Sequence, residues 1–150
     1  MPSISLRQAL LADQGMSRCI TTPKWEAERL KDGAIPWPML SDALVECRDG
    51  LAHLDEESFA YYLGGFLRFA VNHLDASLLS PEDELLGSVV FSVTQRSNYN
   101  LGRLKRLTDD QIDTVVDFLR LVQERSEAHG TDAEKALKRY WETPEARKKR

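Results

Sequence analysis

The segment from Phe59 to Leu74 is the feature that most restricts the folds open to this chain. On a helix at 100° per residue its apolar side chains cover an arc of about 200°, wider than the stripe of an ordinary surface helix. The pattern therefore predicts a helix at the centre of the core, with other helices packed around it. Tyr61, Arg68 and Asn72 are predicted to form its narrow polar face.

Two adjacent glycines, Gly64 and Gly65, lie in the middle of this predicted helix. Each destabilises a helix by about 1 kcal/mol relative to alanine, so the pair needs a physical reason. Both glycines border the apolar arc, which favours close packing against a neighbouring helix or a local kink. A hinge and a ligand-cradling loop are the alternatives. A phosphate loop, however, needs a strand before the glycines and a helix that starts after them, and the sequence indicates neither.

Helix start and stop signals recur along the rest of the chain, whereas strand signals are nearly absent. The segment "SVVFSV" is β-branched and could be a strand, but the start signal before it favours a helix. The prolines on either side of Trp37 predict an extended path. We expect an all-α single compact domain of about six or seven helices at residues 1–143, followed by a basic tail at 144–150. The predicted N-caps are Thr22, Asp55, Ser80, Thr108 and Thr131, and the predicted helix ends are near Gly33, Gly50 and Gly130.

Composition narrows the class of protein. The 150 residues are 42% hydrophobic and 29% charged, which is typical of a soluble globular domain. A net charge of −4 argues against a general affinity for nucleic acid or anionic membranes. No apolar run approaches the roughly 20 residues of a membrane span, and the N-terminal segment does not have the pattern of a secretion signal. We therefore predict a cytoplasmic protein without a membrane partner, and the sequence indicates no oligomeric state.

Three segments together resemble a known family. They are "SFAYYLGGFLRFAV", "LTDDQIDTVVDFLRLV" and "ALKRYW". From about Trp37 to Trp141 the chain resembles a family of uncharacterised, mostly bacterial, small helical proteins. Members carry a Tyr-Tyr-Leu-Pro-like helix, a Leu-Thr-x-x-Gln helix start and an Ala-Leu-x-x-Tyr-Trp ending. Gly64 stands where this resemblance predicts proline, which favours a kink, and the resemblance implies no activity.

The cysteines and histidines indicate no catalytic or metal chemistry. His53, His73 and His129 are not at metal-ligand spacing from one another or from a cysteine. Cys19 and Cys47 fit no metal or redox pattern, so we expect two reduced thiols, and a disulfide between them is the alternative. Cys47 and His53 could form a thiol–imidazole pair, but the sequence around Cys47 shows nothing that would activate it. We predict a protein that is not an enzyme and that uses no cofactor and no metal.

Acidic clusters stand at several predicted helix starts, where capping and the helix dipole account for them. The alternative is an acidic surface that docks a basic partner. On that reading we hypothesise a non-catalytic protein-binding protein, one version being an immunity or antitoxin-like protein that blocks a bacterial toxin. The candidate protein-binding residues are Glu56, Glu57, Glu82, Asp83 and Tyr61.

Two basic regions support alternative functions. The segment "TQRSNYNLGRLKRL" contains no acid and is predicted to be a long polar loop that leads into the helix start at Thr108, a natural anion site. This predicts a phosphate- or nucleotide-binding protein, or an enzyme, that uses residues 95–107. Residues 131–150 contain seven Lys/Arg and four Asp/Glu, so a nucleic-acid binder through the C-terminal helix and tail is the other alternative. The candidate anion-binding residues are Arg96, Arg103, Lys105 and Arg106.

Overall fold

A computed structural model describes residues 1–15 and 20–147, apart from the side chains at 41 and 42. This part of the chain is all-α and contains no strand, as the sequence predicts, and seven of its α-helices have seven or more residues. Cys19 and residues 148–150 of the predicted tail lie outside the described residues. The helices are α1 (Leu6–Gln14), α2 (Thr22–Asp32), α3 (Ser41–Glu46), α4 (Glu56–Asn72), α5 (Pro81–Thr94), α6 (Asn98–Leu104), α7 (Asp109–Arg125) and α8 (Gly130–Ala136).

Helix α4 is the centre of the core, as its wide apolar arc predicts. It contacts α3, α5, α6 and α7, and Phe59, Tyr62 and Phe66 on it are fully buried. Its N-terminus is capped by Asp55, whose side chain accepts a hydrogen bond from the backbone N–H of Ser58 at 2.8 Å. Burying large apolar side chains on several sides of one helix is what brings the other helices together around it.

The ring of Trp37 packs against the two glycines of α4. A Cβ placed on Gly64 would lie 3.2 Å from Cζ2 of Trp37, and one on Gly65 would lie 3.2 Å from Cε3. The glycines therefore allow close packing, and α4 runs through both as one helix. The ligand-loop alternative is wrong. The predicted extended path is also wrong for Trp37–Met39, which form a 3-10 turn after the extended Pro36. Proline fits the start of such a turn because its missing N–H is not needed there.

Several predicted boundaries shift in the first half of the chain. The N-cap of α2 is Thr21 instead of Thr22, with Gly33 as the C-cap. Helix α3 ends at Glu46, and a separate 3-10 helix, Arg48–His53, covers the region where the sequence predicted one longer helix. The β-branched segment "SVVFSV" lies inside α5, whose N-cap is Ser80, so the helical reading is confirmed.

The segment predicted as a polar loop is partly helical. Residues Asn98–Leu104 form α6, because the Ser97 side chain accepts a hydrogen bond from Asn100 N and caps the first turn. The loop prediction is therefore wrong. Thr108 caps α7 in a capping box with Gln111, as the sequence predicts.

The end of α7 and the start of α8 also differ from the prediction. Helix α7 ends at Arg125, and α8 begins at Gly130 with His129 in the N-cap position, so the N-cap predicted at Thr131 is wrong. A Cβ on Gly130 would lie 3.0 Å from the carbonyl oxygen of Gln123, so glycine allows this close approach without a shift of the backbone.

The last described residues pack against the middle of the chain. Helix α8 continues into a π-helical segment, Leu137–Trp141, and a 3-10 turn follows at Pro144–Arg147. The indole Nε1 of the buried Trp141 donates a hydrogen bond to the carbonyl of Val93 at 2.7 Å. Within the described residues, every helix is too short or too polar to cross a bilayer.

Candidate functional site

An open groove lies where the end of α1, the Arg48–His53 helix, α5 and α6 meet. Its volume is about 750 Å³, which is within the range of ligand and peptide sites. We call it the central groove. The side chains that define it are Asp13, Arg48, Asp49, Leu51, Glu84, Phe91, Tyr99 and Arg103.

Two aromatic side chains of the central groove are exposed. Phe91 of α5 is 61% exposed, and Tyr99 of α6 is 55% exposed. The Tyr99 hydroxyl donates a hydrogen bond to the Leu54 carbonyl at 2.7 Å, so the ring has a fixed position. Exposed, positioned aromatic rings beside an open groove are typical of binding surfaces.

Arg103 braces the floor of the central groove. It is 3% exposed and donates hydrogen bonds to the Leu51 carbonyl at 2.8 Å and to Oδ1 of Asn100 at 2.7 Å. Its guanidinium carbon lies 4.2 Å from the ring centre of Phe59 and 5.0 Å from that of Tyr99. Burial lowers the pKa of Arg103 from its ordinary value. The charge of Arg103 is therefore stabilised by carbonyl and amide oxygens and by two aromatic rings, instead of by a carboxylate.

Three carboxylates line the same groove. Asp13 lies 3.1 Å from Nε2 of His53, and Glu84 lies 2.7 Å from a guanidinium nitrogen of Arg48. Asp49 is exposed and makes no ion pair with any residue that the structure describes. An exposed aromatic pair with carboxylates nearby presents apolar area and negative charge to whatever docks there.

A second cavity, of about 610 Å³, adjoins the central groove. It lies between the end of α5 and the segment formed by α8 and its π-helical continuation, and Phe91 lines both cavities. We call it the basic pocket because three cations line it. Those cations are Arg96, Lys135 and Arg139.

Comparison with known families covers almost the whole chain. Residues 1–145 match the profile of a family of unknown function, DUF6714. The chain belongs to this family. The match agrees with the resemblance to an uncharacterised family seen from Trp37 to Trp141, and it extends further toward both ends. The bacterial distribution of the family stays a prediction. Neither a search of curated proteins nor a search of solved structures finds a match.

The acidic residues predicted to bind a partner are not gathered on one surface of this DUF6714 protein. Glu56 at the start of α4 pairs with Nε of Arg106 at 2.8 Å. Glu82 of α5 instead lines a cavity together with Asn72, which is the last residue of α4. Glu56 and Asn72 are sixteen helical steps apart, which is about 24 Å along α4.

The other predicted partner-binding residues have local roles or none that is visible. Asp83 accepts a hydrogen bond from Leu79 N at 3.0 Å at the start of α5. Tyr61 packs edge-on against Tyr62, with ring centres 4.9 Å apart, and Glu57 is exposed. Their binding role stays a prediction, whereas the central groove is formed by other residues.

The four predicted anion-binding residues are also dispersed. Arg103 is buried under the central groove, Arg106 pairs with Glu56, and Lys105 is exposed and lines neither cavity. Arg96 lines the basic pocket. Of the four, only Arg103 lies in the helix at 98–104, and the long loop that would have let the four side chains converge does not form.

The thiol–imidazole pair considered from the sequence does not form. Cys47 has no exposed surface, and burial raises the pKa of its thiol to about 11. His53 faces Asp13 instead. A buried, protonated thiol is a poor nucleophile. Within the described residues, no group of three or more His, Cys, Asp or Glu side chains is placed to hold a metal ion.

Sequence reasoning missed Phe91, Lys135, Arg139 and Tyr140. At 100° per residue Phe91 falls off the apolar stripe that Leu86, Val89, Val90 and Val93 form on α5, and that pattern alone would have marked it as exposed. Lys135 and Arg139 are four residues apart, a spacing that places both on one helical face. The meeting of that face with Phe91 depends on tertiary packing and has no local signal.

Proposed function

We propose that this protein acts by binding another protein, without catalysis, and that the central groove is its contact surface. The observation that supports the proposal is the exposure of Phe91 and Tyr99 beside an open groove. Aromatic side chains supply much of the binding energy at protein interfaces, because they bury large areas at a low entropic cost. Exposed apolar area rimmed by polar residues is frequent at protein interaction sites.

One unpaired carboxylate of the central groove favours a basic partner. Asp13 and Glu84 face His53 and Arg48, and the buried Arg103 also lines the groove, whereas Asp49 is exposed and makes no ion pair within the described residues. Carboxylates around an apolar anchor speed association with a basic surface and disfavour acidic ones. We therefore propose that the partner inserts an apolar side chain between Phe91 and Tyr99 and places Lys or Arg beside Asp49.

A finer version of the proposal is that the protein is immunity- or antitoxin-like and blocks a bacterial toxin. Small size, mild acidity and a helical core with a preformed groove are compatible with such a role. We expect a toxin gene next to the gene for this protein. Normal growth of cells that carry such a toxin but lack this protein would exclude the immunity version while leaving protein binding itself intact.

The test compares two charge-inserting variants. Phe91→Glu places a carboxylate in the central groove, whereas Leu30→Glu makes the same change at an exposed leucine of α2, 88% exposed and away from both cavities. Proteins captured from cells by the unmodified chain are identified by mass spectrometry, and each is purified for a titration. We expect Phe91→Glu to weaken binding at least about tenfold, as for an interface hot spot, and Leu30→Glu to leave it unchanged.

Capture alone does not support the proposal, because only the difference between the two variants reports on the surface at Phe91, the shared edge of the central groove and the second cavity. Binding should also weaken as salt is raised, since the proposed partner is basic. A captured protein that binds both variants as tightly as the unmodified chain would show that the groove is not the contact surface.

A further inference from the structure

We propose that the basic pocket binds a small organic phosphate with a planar apolar group, such as a nucleoside monophosphate. The phosphate would contact Arg96, Lys135 and Arg139, and the planar group would lie against Phe91. This site is separate from the protein-binding role of the central groove, although the two cavities share Phe91 on their common edge.

The cations of the basic pocket are poorly neutralised by the protein itself. Lys135 and Arg139 lie one helical turn apart, and neither forms an ion pair within the part of the chain that the structure describes. Two like charges at this spacing repel each other. Arg96 reaches Glu145 only at 3.4 Å, with both side chains about half exposed. Asp132 is the one carboxylate among the described residues that line the pocket, so an anion would relieve the excess positive charge.

Tyr140, a residue of the pocket wall, carries a buried hydroxyl without a partner in the described part of the chain. Tyr140 is 2% exposed, and its hydroxyl oxygen has no hydrogen-bond partner among the described residues. Buried polar atoms nearly always have a partner, so an orphan hydroxyl in a pocket wall suggests one that a ligand supplies. Burial raises the pKa of Tyr140, which keeps the phenol protonated and able to donate a hydrogen bond to a phosphate oxygen. The residue belongs to the π-helical segment, a local distortion that is frequent at functional sites.

Side-chain hydrogen-bond donors occupy the carbonyls at the end of α5, which borders the basic pocket. The C-terminus of a helix repels negative charge because its last carbonyls are free. Here the Val93 carbonyl accepts a hydrogen bond from Trp141 Nε1 at 2.7 Å. The carbonyls of Ser92 and Gln95 both accept from Nδ2 of Asn100, at 2.8 and 2.6 Å. These side-chain donors reduce the negative potential that would otherwise face the ligand.

Size and apolar surface indicate the rest of the ligand. A volume of about 610 Å³ exceeds what inorganic phosphate needs and suits a molecule the size of a mononucleotide. The exposed ring of Phe91 offers one flat face, and Val93, Leu104 and Trp141 supply apolar wall. Stacking on an aromatic ring tolerates different bases, so the geometry assigns a chemical class and not one base.

The test uses the full chain and isothermal titration with the common nucleoside monophosphates, adenosine and inorganic phosphate. We expect at least one nucleoside monophosphate to bind at least about tenfold more tightly than adenosine or inorganic phosphate, because each lacks one half of the recognition. Binding should weaken as salt is raised. An unchanged heat signal with every monophosphate at millimolar concentration would overturn the proposal.

Matched variants locate the site. Arg139→Gln removes a cation of the basic pocket, whereas Lys138→Gln removes the neighbouring cation, which pairs with Glu134 and does not line the pocket. Arg139→Gln should weaken binding about tenfold and Lys138→Gln should not. Tyr140→Phe keeps the ring and removes the orphan hydroxyl, so it should weaken binding while circular dichroism stays unchanged. Equal losses for Arg139→Gln and Lys138→Gln would show nonspecific charge attraction and refute the site. An acidic peptide that binds at Arg139 when no nucleotide does would refute it as well.

Discussion

The contact between Trp37 and Gly64 allows a quantitative test of why α4 contains glycine. In the unmodified chain, the new methyl group of Gly64→Ala would lie 3.2 Å from Cζ2 and 3.3 Å from Cη2 of the indole. Carbon atoms attract each other best at about 3.5–4.0 Å, so the ring or the helix must move. In a Trp37→Ala background the same methyl group meets no ring.

Two opposing terms set the expected sizes. Alanine is a better helix former than glycine by about 1 kcal/mol. Overpacking a fitted contact destabilises by about 1–3 kcal/mol. Gly64→Ala should therefore lower the free energy of unfolding by about 0–2 kcal/mol when Trp37 is present, and raise it by about 1 kcal/mol when Trp37 has been replaced. The coupling between the two sites is then about 1–3 kcal/mol, a size typical of residues in direct contact.

Urea unfolding of the four proteins in this cycle, followed by circular dichroism, gives each free energy of unfolding. Each variant must first show the helical spectrum of the unmodified chain. In a domain of this size 1 kcal/mol corresponds to a shift in Tm of about 2–4 °C, so thermal unfolding provides a second readout. If Gly64→Ala stabilises the protein equally in both backgrounds, the Trp37 ring is not the reason for the glycine, and the packing argument is wrong.

Three further predictions concern buried or capping side chains. Arg103→Lys should destabilise by about 1–3 kcal/mol, because one ammonium cannot reach both the Leu51 carbonyl and Asn100; urea unfolding that matches the unmodified chain would contradict this. Burial raises the pKa of Asp55, but hydrogen bonds from Ser3 and Ser58 outweigh it, so the pKa is lowered in the folded protein. The ionised Asp55 therefore stabilises the protein above the unfolded pKa of about 4, and this stabilisation is lost as the pH falls through the pKa of the folded state. Asp55→Ala should accordingly cost about 1 kcal/mol near neutral pH, and a difference from the unmodified chain that stays constant down to pH 3 would be inconsistent with that cause. In a Cys19→Ser background iodoacetamide should alkylate the buried Cys47 slowly until urea unfolds the chain; fast labelling of the folded protein would show that the thiol is accessible.

Local signals were sufficient where one residue decides the outcome. Asp55, Ser80 and Thr108 each cap the helix that the sequence assigns to them, because a cap acts within three residues of its own position. The burial of α4 could also be predicted locally, because its apolar arc is formed by residues of one continuous segment. The all-α class needed no more than these local features.

The parts that were missed depend on contacts between distant residues. Helix α6 is short and polar, and Arg103 holds it against the carbonyl of Leu51, fifty-two residues earlier in the chain. The π-helical segment likewise makes a distant contact, from Trp141 to the carbonyl of Val93. Both cavities form between elements that only the tertiary fold brings together. Local sequence patterns therefore could not predict that Phe91 and Tyr99 line one groove, or that Arg96 and Arg139 line one pocket.

The hydrogen bond from Trp141 to Val93 has a consequence for the order in which the chain becomes structured. During synthesis the residues of α4 and α5 are made well before Trp141, so the Val93 carbonyl cannot yet accept its hydrogen bond from the indole. Joining residues 48 positions apart carries an entropic cost of loop closure, which only the burial of the indole and its neighbours repays. The wall of the basic pocket is therefore completed late, after most of the core around α4 is available to guide it.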